Sequence, residues 1–311
     1  MSATEKARAT PAAAATLTRR APVMLATDGW ADYALLDTGD GQKLERYGRY
    51  RIVRPEEQAM VSPRRPSEEW ERADAHFVGI GDDEAGGRWR HQKPVPETWR
   101  MEYDGVAFLG RFTNFRHVGV FPEQVSHWQW IMAEIARETR PLRILNLFAY
   151  TGIVSLLAAR GGAEVTHVDA SKKAIAWARE NQELSNLGQA KVRWICDDAT
   201  KFAEREVRRG SRYDGIILDP PKFGRGPKGE VWDIFANLKP LLLACRTLLS
   251  DKPAFLIITA YSIRSSFVAI DELAAEVLAG LPGTLESGEL LLREQGGGRA
   301  LSTSLFSRWS R

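Results

Sequence analysis

Residues 143–182 read RILNLFAYTGIVSLLAARGGAEVTHVDASKKAIAWARENQ, and their periodicity decides the fold. RILNLF (143–148) is a short apolar run of strand length, AYTG (149–152) is a turn, and IVSLLAARGG has the apolar spacing of a helix. AEVTHVD (163–169) then repeats the strand signal and closes on an acid before the helical SKKAIAWARENQELSNLG. A strand, a helix and a second strand at this spacing predict a parallel pair joined by a crossover.

The alternation continues toward the C-terminus. KVRWI (191–195) precedes ATKFAEREVRRG, YDGIIL (213–218) precedes EVWDIFANLKPLLLACRTLLS, and AFLIITA (254–260) precedes SFVAIDELAAEVLAG. LESGELLLRE and ALSTSLFSRW flank the glycines at 296–298 as a closing antiparallel hairpin. An amphipathic helix, VSHWQWIMAEIARE, starts the series near residue 125. The expected fold class is α/β: a Rossmann-like, doubly wound, seven-stranded sheet with an antiparallel C-terminal hairpin.

Residues 1–20 lack usable periodicity and are expected to be a mobile tail. Residues 21–115 hold short apolar pieces broken by DG, GDG and GG, and predict a small β-rich domain before a catalytic domain at 116–311. That leader interleaves Trp30, Trp70, Trp89 and Trp99 with Arg46, Arg49, Arg51, Arg54, Arg64, Arg65, Arg88 and Arg90. Two readings stay open: base-stacking rings beside phosphate-binding cations, or tryptophans anchoring a small core that arginines coat.

The 311 residues are 44% hydrophobic and 27% charged with a net charge of +3, an ordinary globular balance that neither demands nor excludes a nucleic-acid partner. Cys196 and Cys245 are too few for a disulfide framework and stand in no zinc-type cluster, which suits a cytoplasmic setting. No run has transmembrane length and no signal-peptide core is present, so no membrane partner is expected. His117 and His127 are isolated and are expected to be satisfied or solvated.

In a doubly wound sheet the ligand lies beyond the carboxyl ends of the strands. The first strand is followed by a turn with one glycine, Gly152, and by no GxGxxG or GxxxxGK[ST] loop, so a phosphate cradle has little support. Asp169 ends the second strand, Asp197 and Asp198 follow the third, and LDPPKFGRG (218–226) follows the fourth. A carboxylate can accept both hydroxyls of a ribose or an amine.

These positions, taken in order, resemble the class I S-adenosylmethionine-dependent methyltransferases. LNLFAYTG, VDASKK and LDPPKFGRG, with GVFPEQ at 119–124, are similar to the ribosomal RNA methyltransferase group that includes large-subunit 5-methylcytosine and guanine-N7 enzymes. The resemblance covers roughly residues 100–311. It implies S-adenosylmethionine as cofactor, with Asn146, Phe148, Tyr150, Thr151 and Gly152 shaping its methionine end and Asp169 with Ala170 at its ribose. It further implies Asp198 and Ala199 at the adenine, Gln124 closing the other side, and Asp219 and Pro221 beside the donor. RNA, above all ribosomal RNA, is the implied partner.

Asp219, Pro220 and Phe223 are the candidate catalytic residues. Two prolines stiffen the backbone in an extended path, a carbonyl there can accept from a substrate amine, and Phe223 offers a face for a flat base. Lys222 or Tyr261 would line the pocket, and the glycines and cations of GRGPKG would bend around the base and meet phosphates. Cytosine-C5 chemistry needs a nucleophile, normally a thiolate, and neither this loop nor ITAYSIRSS after strand five has a cysteine. Direct transfer to a nitrogen is therefore favoured. A methyltransferase of a protein or small molecule, or a non-catalytic RNA-binding module on the same fold, remains open.

Overall fold

The computed structural model describes residues 16–79, 86–261, 263, 265–296 and 298–311. Residues 1–15 of the expected tail, Ser262 of the strand-five loop and Gly297 of the glycine turn lie outside them.

The N-terminal strands are β1 (Leu17–Arg19), β2 (Val23–Thr27), β3 (Tyr33–Gly39), β4 (Gln42–Tyr47), β5 (Tyr50–Pro55), β6 (Ala75–Gly79), β7 (Gly87–His91), β8 (Thr98–Tyr103) and β9 (Val106–Arg111), with helix α1 (Ser67–Glu71) between β5 and β6. Beyond a 3-10 turn at Pro122–Gln124 come α2 (Val125–Arg137), β10 (Arg143–Leu147), α3 (Ile153–Arg160), β11 (Glu164–Asp169), α4 (Lys172–Leu184), β12 (Val192–Cys196) and α5 (Ala199–Arg208). The chain ends with β13 (Gly215–Leu218), β14 (Phe223–Arg225), β15 (Val231–Asp233), α6 (Ile234–Leu248), β16 (Phe255–Tyr261), α7 (Phe267–Val277), β17 (Gly283–Arg293) and β18 (Ala300–Ser310).

The large sheet runs β12-β11-β10-β13-β16-β18-β17. Its first five strands are mutually parallel, and β18 is antiparallel to both β16 and β17. The seven expected strands are present, and β1 and β2 both add in parallel to β17, giving nine. Leu17–Arg19, expected within the tail, are thus held by strand pairing to Gly283–Leu285.

Alternation explains the layers. Leu145, Leu147, Ile216, Leu218, Leu256 and Ile258 point to the core shared with α5, α6 and α7. Their neighbours Ile144, Ile217, Phe255 and Ile257 point to the core shared with α2 and α3. Strand order reverses at β10, which lies between β11 and β13, and there the fold opens a crevice beyond the carboxyl ends.

A five-stranded sheet, β3-β4-β5-β6-β7, and a β8-β9 hairpin form the N-terminal part. Trp30, Trp70 and Trp99 are buried there, which corrects the base-stacking reading for these three rings. Trp30 packs against Tyr33, Tyr103, Phe108 and Trp128, while the Trp70 indole donates to Asp37. Arg54 is buried as well and forks onto Glu45 through Nε at 2.8 Å and Nη2 at 2.9 Å. Burial alone would raise the Glu45 pKa, but the Arg54 and Lys43 charges outweigh it and hold the carboxyl below its usual value.

One boundary differs from the expectation. Val231–Asp233, expected at the start of a helix, form a strand that pairs with Phe223–Arg225, because Asp233 caps α6 by accepting from the Phe235 N–H at 2.9 Å.

Candidate active site

The loop after β10 bends through three left-handed residues: Phe148 at φ 57°, Tyr150 at φ 48° and Gly152 at φ 80°. An aromatic residue in that region costs on the order of 1–3 kcal/mol and persists only when its surroundings fix it. Here they do. The Ala149 N–H donates to the Val168 carbonyl at 3.1 Å, the Tyr150 N–H to Asp169 Oδ2 at 2.8 Å, and the Thr151 hydroxyl to the Gly119 carbonyl at 2.7 Å. Buried Asn181 of α4 donates to the Thr151 carbonyl at 2.9 Å. Glycine suits position 152, since a Cβ at that positive φ would be strained and would lie 3.0 Å from Ala178 Cβ.

Asp169 accepts from two backbone donors, Tyr150 and Ser171, each at 2.8 Å. Burial raises its pKa and outweighs those two bonds. The carboxylate is fixed in direction and keeps acceptor capacity for vicinal hydroxyls. Ala170 follows it, with its carbonyl receiving the Cys196 thiol at 3.6 Å. Asp198 is the N-cap of α5, its Oδ1 accepting from Lys201 N–H at 2.9 Å, with Ala199 as the first helical residue. Asp197 is ion-paired with Arg205 and accepts from the Asp198 N–H at 2.9 Å. Capping therefore occupies one oxygen of Asp198 and leaves Oδ2 as an acceptor.

Asp219 follows β13. Gln124 Nε2 donates to its Oδ2 at 3.1 Å, joining two residues 95 apart in the chain. Burial pushes the Asp219 pKa up to about 7, with the nearby Glu123 charge adding to the rise. Glu123 is itself buried, and burial raises its pKa too. One cavity joins Gln124, Asn146, Phe148, Tyr150, Gly152 and Asp219. Asn146 is oriented there by its bond to Ser155, which in turn meets His167 Nδ1 at 3.0 Å.

The two prolines differ from each other. The Pro221 carbonyl, expected to be available to substrate, accepts from the Trp232 indole at 2.7 Å. No hydrogen bond from the described residues reaches the Pro220 carbonyl. The same Trp232 ring packs on Phe148 at 4.7 Å, so one side chain ties the Asp-Pro-Pro turn to the loop after β10. Sequence reasoning missed it, having placed residue 232 in a helix. Phe223 is not brought to the cavity: it pairs across the hairpin with Asp233, opposite in pleat to Trp232, and is 59% exposed.

Phe121 is among the aromatic rings that do line the cavity. It packs on Tyr150 at 5.8 Å and on Tyr261 at 5.7 Å. Tyr261 accepts from Arg116 at 3.0 Å, close to the expected pocket. His127 also lines the cavity: it is buried, and neither ring nitrogen has a hydrogen-bond partner among the described residues. Burial drives the pKa of His127, and that of His117, well below the ordinary value, which keeps both neutral. The cysteines stand apart: Cys245 is buried in α6 with its thiol pushed up to about 12, and Cys196 is exposed at the end of β12.

The donor set consists of oriented carboxylates and a tight non-phosphate loop, which fits a nucleoside ligand bearing hydroxyls and amines but no phosphate chain. Residues 79–272 match the family described as S-adenosylmethionine-dependent methyltransferase. The crystal structure of an S-adenosylmethionine-dependent methyltransferase from Agrobacterium tumefaciens is 54% identical, with a TM-score of 0.91 over 97% of each chain. Ribosomal RNA large subunit methyltransferase I of Aeromonas salmonicida is 34% identical over 43% of this chain and 33% of its own length. Ribosomal RNA large subunit methyltransferase K/L of Desulfotalea psychrophila is 29% identical over 66% of this chain and 27% of its own length. The matched part thus spans about a third or less of these ribosomal RNA relatives.

Proposed function

We propose that this chain, which belongs to the S-adenosylmethionine-dependent methyltransferases, methylates a base of ribosomal RNA by direct transfer to a nitrogen. S-adenosylmethionine supplies an electrophilic methyl group. Asp169 with Ala170 would hold its ribose, Asp198 and Ala199 its adenine, and Asn146, Phe148, Tyr150, Thr151 and Gly152 its methionine end. Gln124 and Pro221 would border the donor near Asp219.

The observation that carries the reading is the half-buried Asp219 carboxyl, fixed by Gln124 and followed by the Pro220 carbonyl, in a cavity whose lining includes no cysteine among the described residues. Two adjacent acceptors suit the N–H groups of a base and would aim a ring or exocyclic nitrogen in line with the methyl group. A nitrogen lone pair needs no covalent enzyme intermediate, whereas cytosine C5 does. The ribosomal RNA part rests on the names of the relatives. Residues 21–115 would serve recognition and 116–311 catalysis, with Val23–Thr27 crossing over to pair with β17 of the large sheet. No helix among the described residues is long and apolar enough to cross a membrane, and a cytoplasmic site of action belongs to the same proposal.

The test is nucleoside mass spectrometry of ribosomal RNA from cells lacking the gene, after incubation with the protein and deuterium-labelled S-adenosylmethionine. A labelled N-methylated nucleoside, reduced about a hundredfold or more in rate by Asp219→Ala with cofactor binding retained, is the expected outcome. Labelled 5-methylcytidine would overturn the nitrogen chemistry, and full activity of Asp219→Ala would overturn the role of that residue.

A further inference from the structure

The β14-β15 hairpin shows two unlike faces. Its inner face is fixed: Trp232 is buried, holds the Pro221 carbonyl and packs on Phe148, while the Ile234 N–H donates to the Lys222 carbonyl at 3.0 Å. Its outer face carries Phe223 at 59% exposure and Val231 at 70%, with Phe235 at 65% following at the start of α6. Phe235 stands two residues beyond Asp233, the cross-strand partner of Phe223. Large apolar groups gathered on a rigid surface element mark an interaction site rather than chance exposure.

Charge narrows the occupant. The acids of this element are already engaged: Glu230 pairs with Lys201 at 2.7 Å and accepts from the Lys228 N–H at 2.8 Å, and Asp233 caps α6. The cations are not. Lys222, Arg225 and Lys228 form no ion pair with the described residues, and Lys222 Nζ lies 5.2 Å from the centre of the Phe223 ring. Flat apolar faces rimmed by unpaired cations complement a chain of flat bases on an anionic backbone.

We infer that the outer face of this hairpin, with the first turn of α6, is a stacking platform for unpaired RNA nucleotides flanking the target base. Phe223 and Phe235 are its stacking faces, and Lys222, Arg225 and Lys228 meet the phosphates. The inference rests on the RNA reading of the active site and gives Phe223 a role outside the cavity. Because Trp232 fixes both the platform and Phe148, RNA seated on the outer face is held in a set register to the loop after β10. Little ordering of the hairpin is then required on binding.

The experiment uses the full chain, unmodified ribosomal RNA and a fluorescent single-stranded RNA. RNA affinity is measured as a function of salt, and S-adenosylmethionine affinity by calorimetry. The Phe223→Ala/Phe235→Ala variant should lose about tenfold or more in RNA affinity with cofactor affinity unchanged. The Lys222→Gln/Arg225→Gln/Lys228→Gln variant should flatten the dependence of log affinity on log salt by about 2. Wild-type affinity in both variants would overturn the platform while leaving the RNA reading intact. Cofactor affinity falling together with RNA affinity would make the hairpin a prop of the loop after β10 and also overturn it. Failure of the wild-type protein to bind either RNA would overturn the RNA reading itself.

Discussion

Two stretches of this chain share a composition and differ in what their residues face. Residues 30–99 set Trp30, Trp70 and Trp99 among arginines, and residues 222–235 set Phe223 and Phe235 among Lys222, Arg225 and Lys228. In the first the three rings are buried and Arg54 is engaged with Glu45, Arg65 with Glu69, and Arg46 with the carbonyls of Gly48 and Ala31, while Arg88 and Arg90 of β7 stay exposed. In the second Phe223 and Phe235 are exposed and the cations form no ion pair with the described residues. Aromatic and cationic residues in alternation do not by themselves make a nucleic-acid surface. What decides is whether the fold supplies carboxylates and carbonyls to the cations before any ligand can.

The strongest way to break this comparison is to remove one cation from each stretch. Arg54→Met would leave Glu45, fully buried, with hydrogen bonds from Tyr33 and Tyr47 and the more distant charge of Lys43, itself paired with Glu56. Stranding such a charge costs about 3–5 kcal/mol, read as a lower urea midpoint. Arg225→Met on the hairpin should stay within about 0.5 kcal/mol of wild type. Equal losses in the two variants would erase the distinction.

A smaller effect sharpens the comparison at the cavity between the two stretches. Asp219 has a folded pKa raised from 3.8 to about 7, so between those values the folded state holds a proton that the unfolded state has released. Its contribution to stability is present below pH 3.8 and is lost as pH rises through about 7. Asp219→Asn removes that dependence, and its stability relative to wild type should increase with pH across this window. Buried His127 and His167 and half-buried His117 have lowered pKa values and act in the opposite sense, losing stability as pH falls through the ordinary histidine range. They are present in both proteins and cancel in the difference. A pH-independent difference between the two urea midpoints would remove the elevated carboxyl.

Much of the large sheet was legible in the sequence because its signals are local. The five parallel strands β10, β11, β12, β13 and β16 are short, mostly apolar runs, and Asp169 ends β11, Asp198 stands two residues past β12 and Asp219 directly follows β13 whatever the rest of the chain does. The remainder depends on partners far along the chain. Leu17–Arg19 become a strand only because Gly283–Leu285 offer an edge. Glu45 meets Arg54 through cross-strand packing, and Gln124 meets Asp219 across 95 residues. Gln124 was reached through family resemblance, whereas Trp232 was missed because EVWDIF reads equally well as the opening turn of a helix. The left-handed Phe148 and Tyr150 leave no mark in composition, since nothing about an aromatic residue announces a positive φ.

The smallest effect tests the one edge of the first stretch that still resembles the hairpin. Arg88 and Arg90 lie on one face of β7 and are exposed, but the ring between them, Trp89, turns inward, donating to the Thr113 carbonyl and packing on Phe77 and Phe112. The face of β7 that carries Arg88 and Arg90 offers charge without an aromatic ring of its own strand, so these two residues contribute the salt-sensitive part of RNA affinity. Arg88→Gln/Arg90→Gln should weaken binding less than about fivefold at moderate salt, and the loss should vanish as salt screens the phosphates. The hairpin aromatics should show the reverse, a loss that survives high salt because stacking does not depend on counterions. A salt-independent loss at Arg88 and Arg90 would mean that β7 contacts bases directly, and would extend base stacking from the hairpin to the N-terminal sheet.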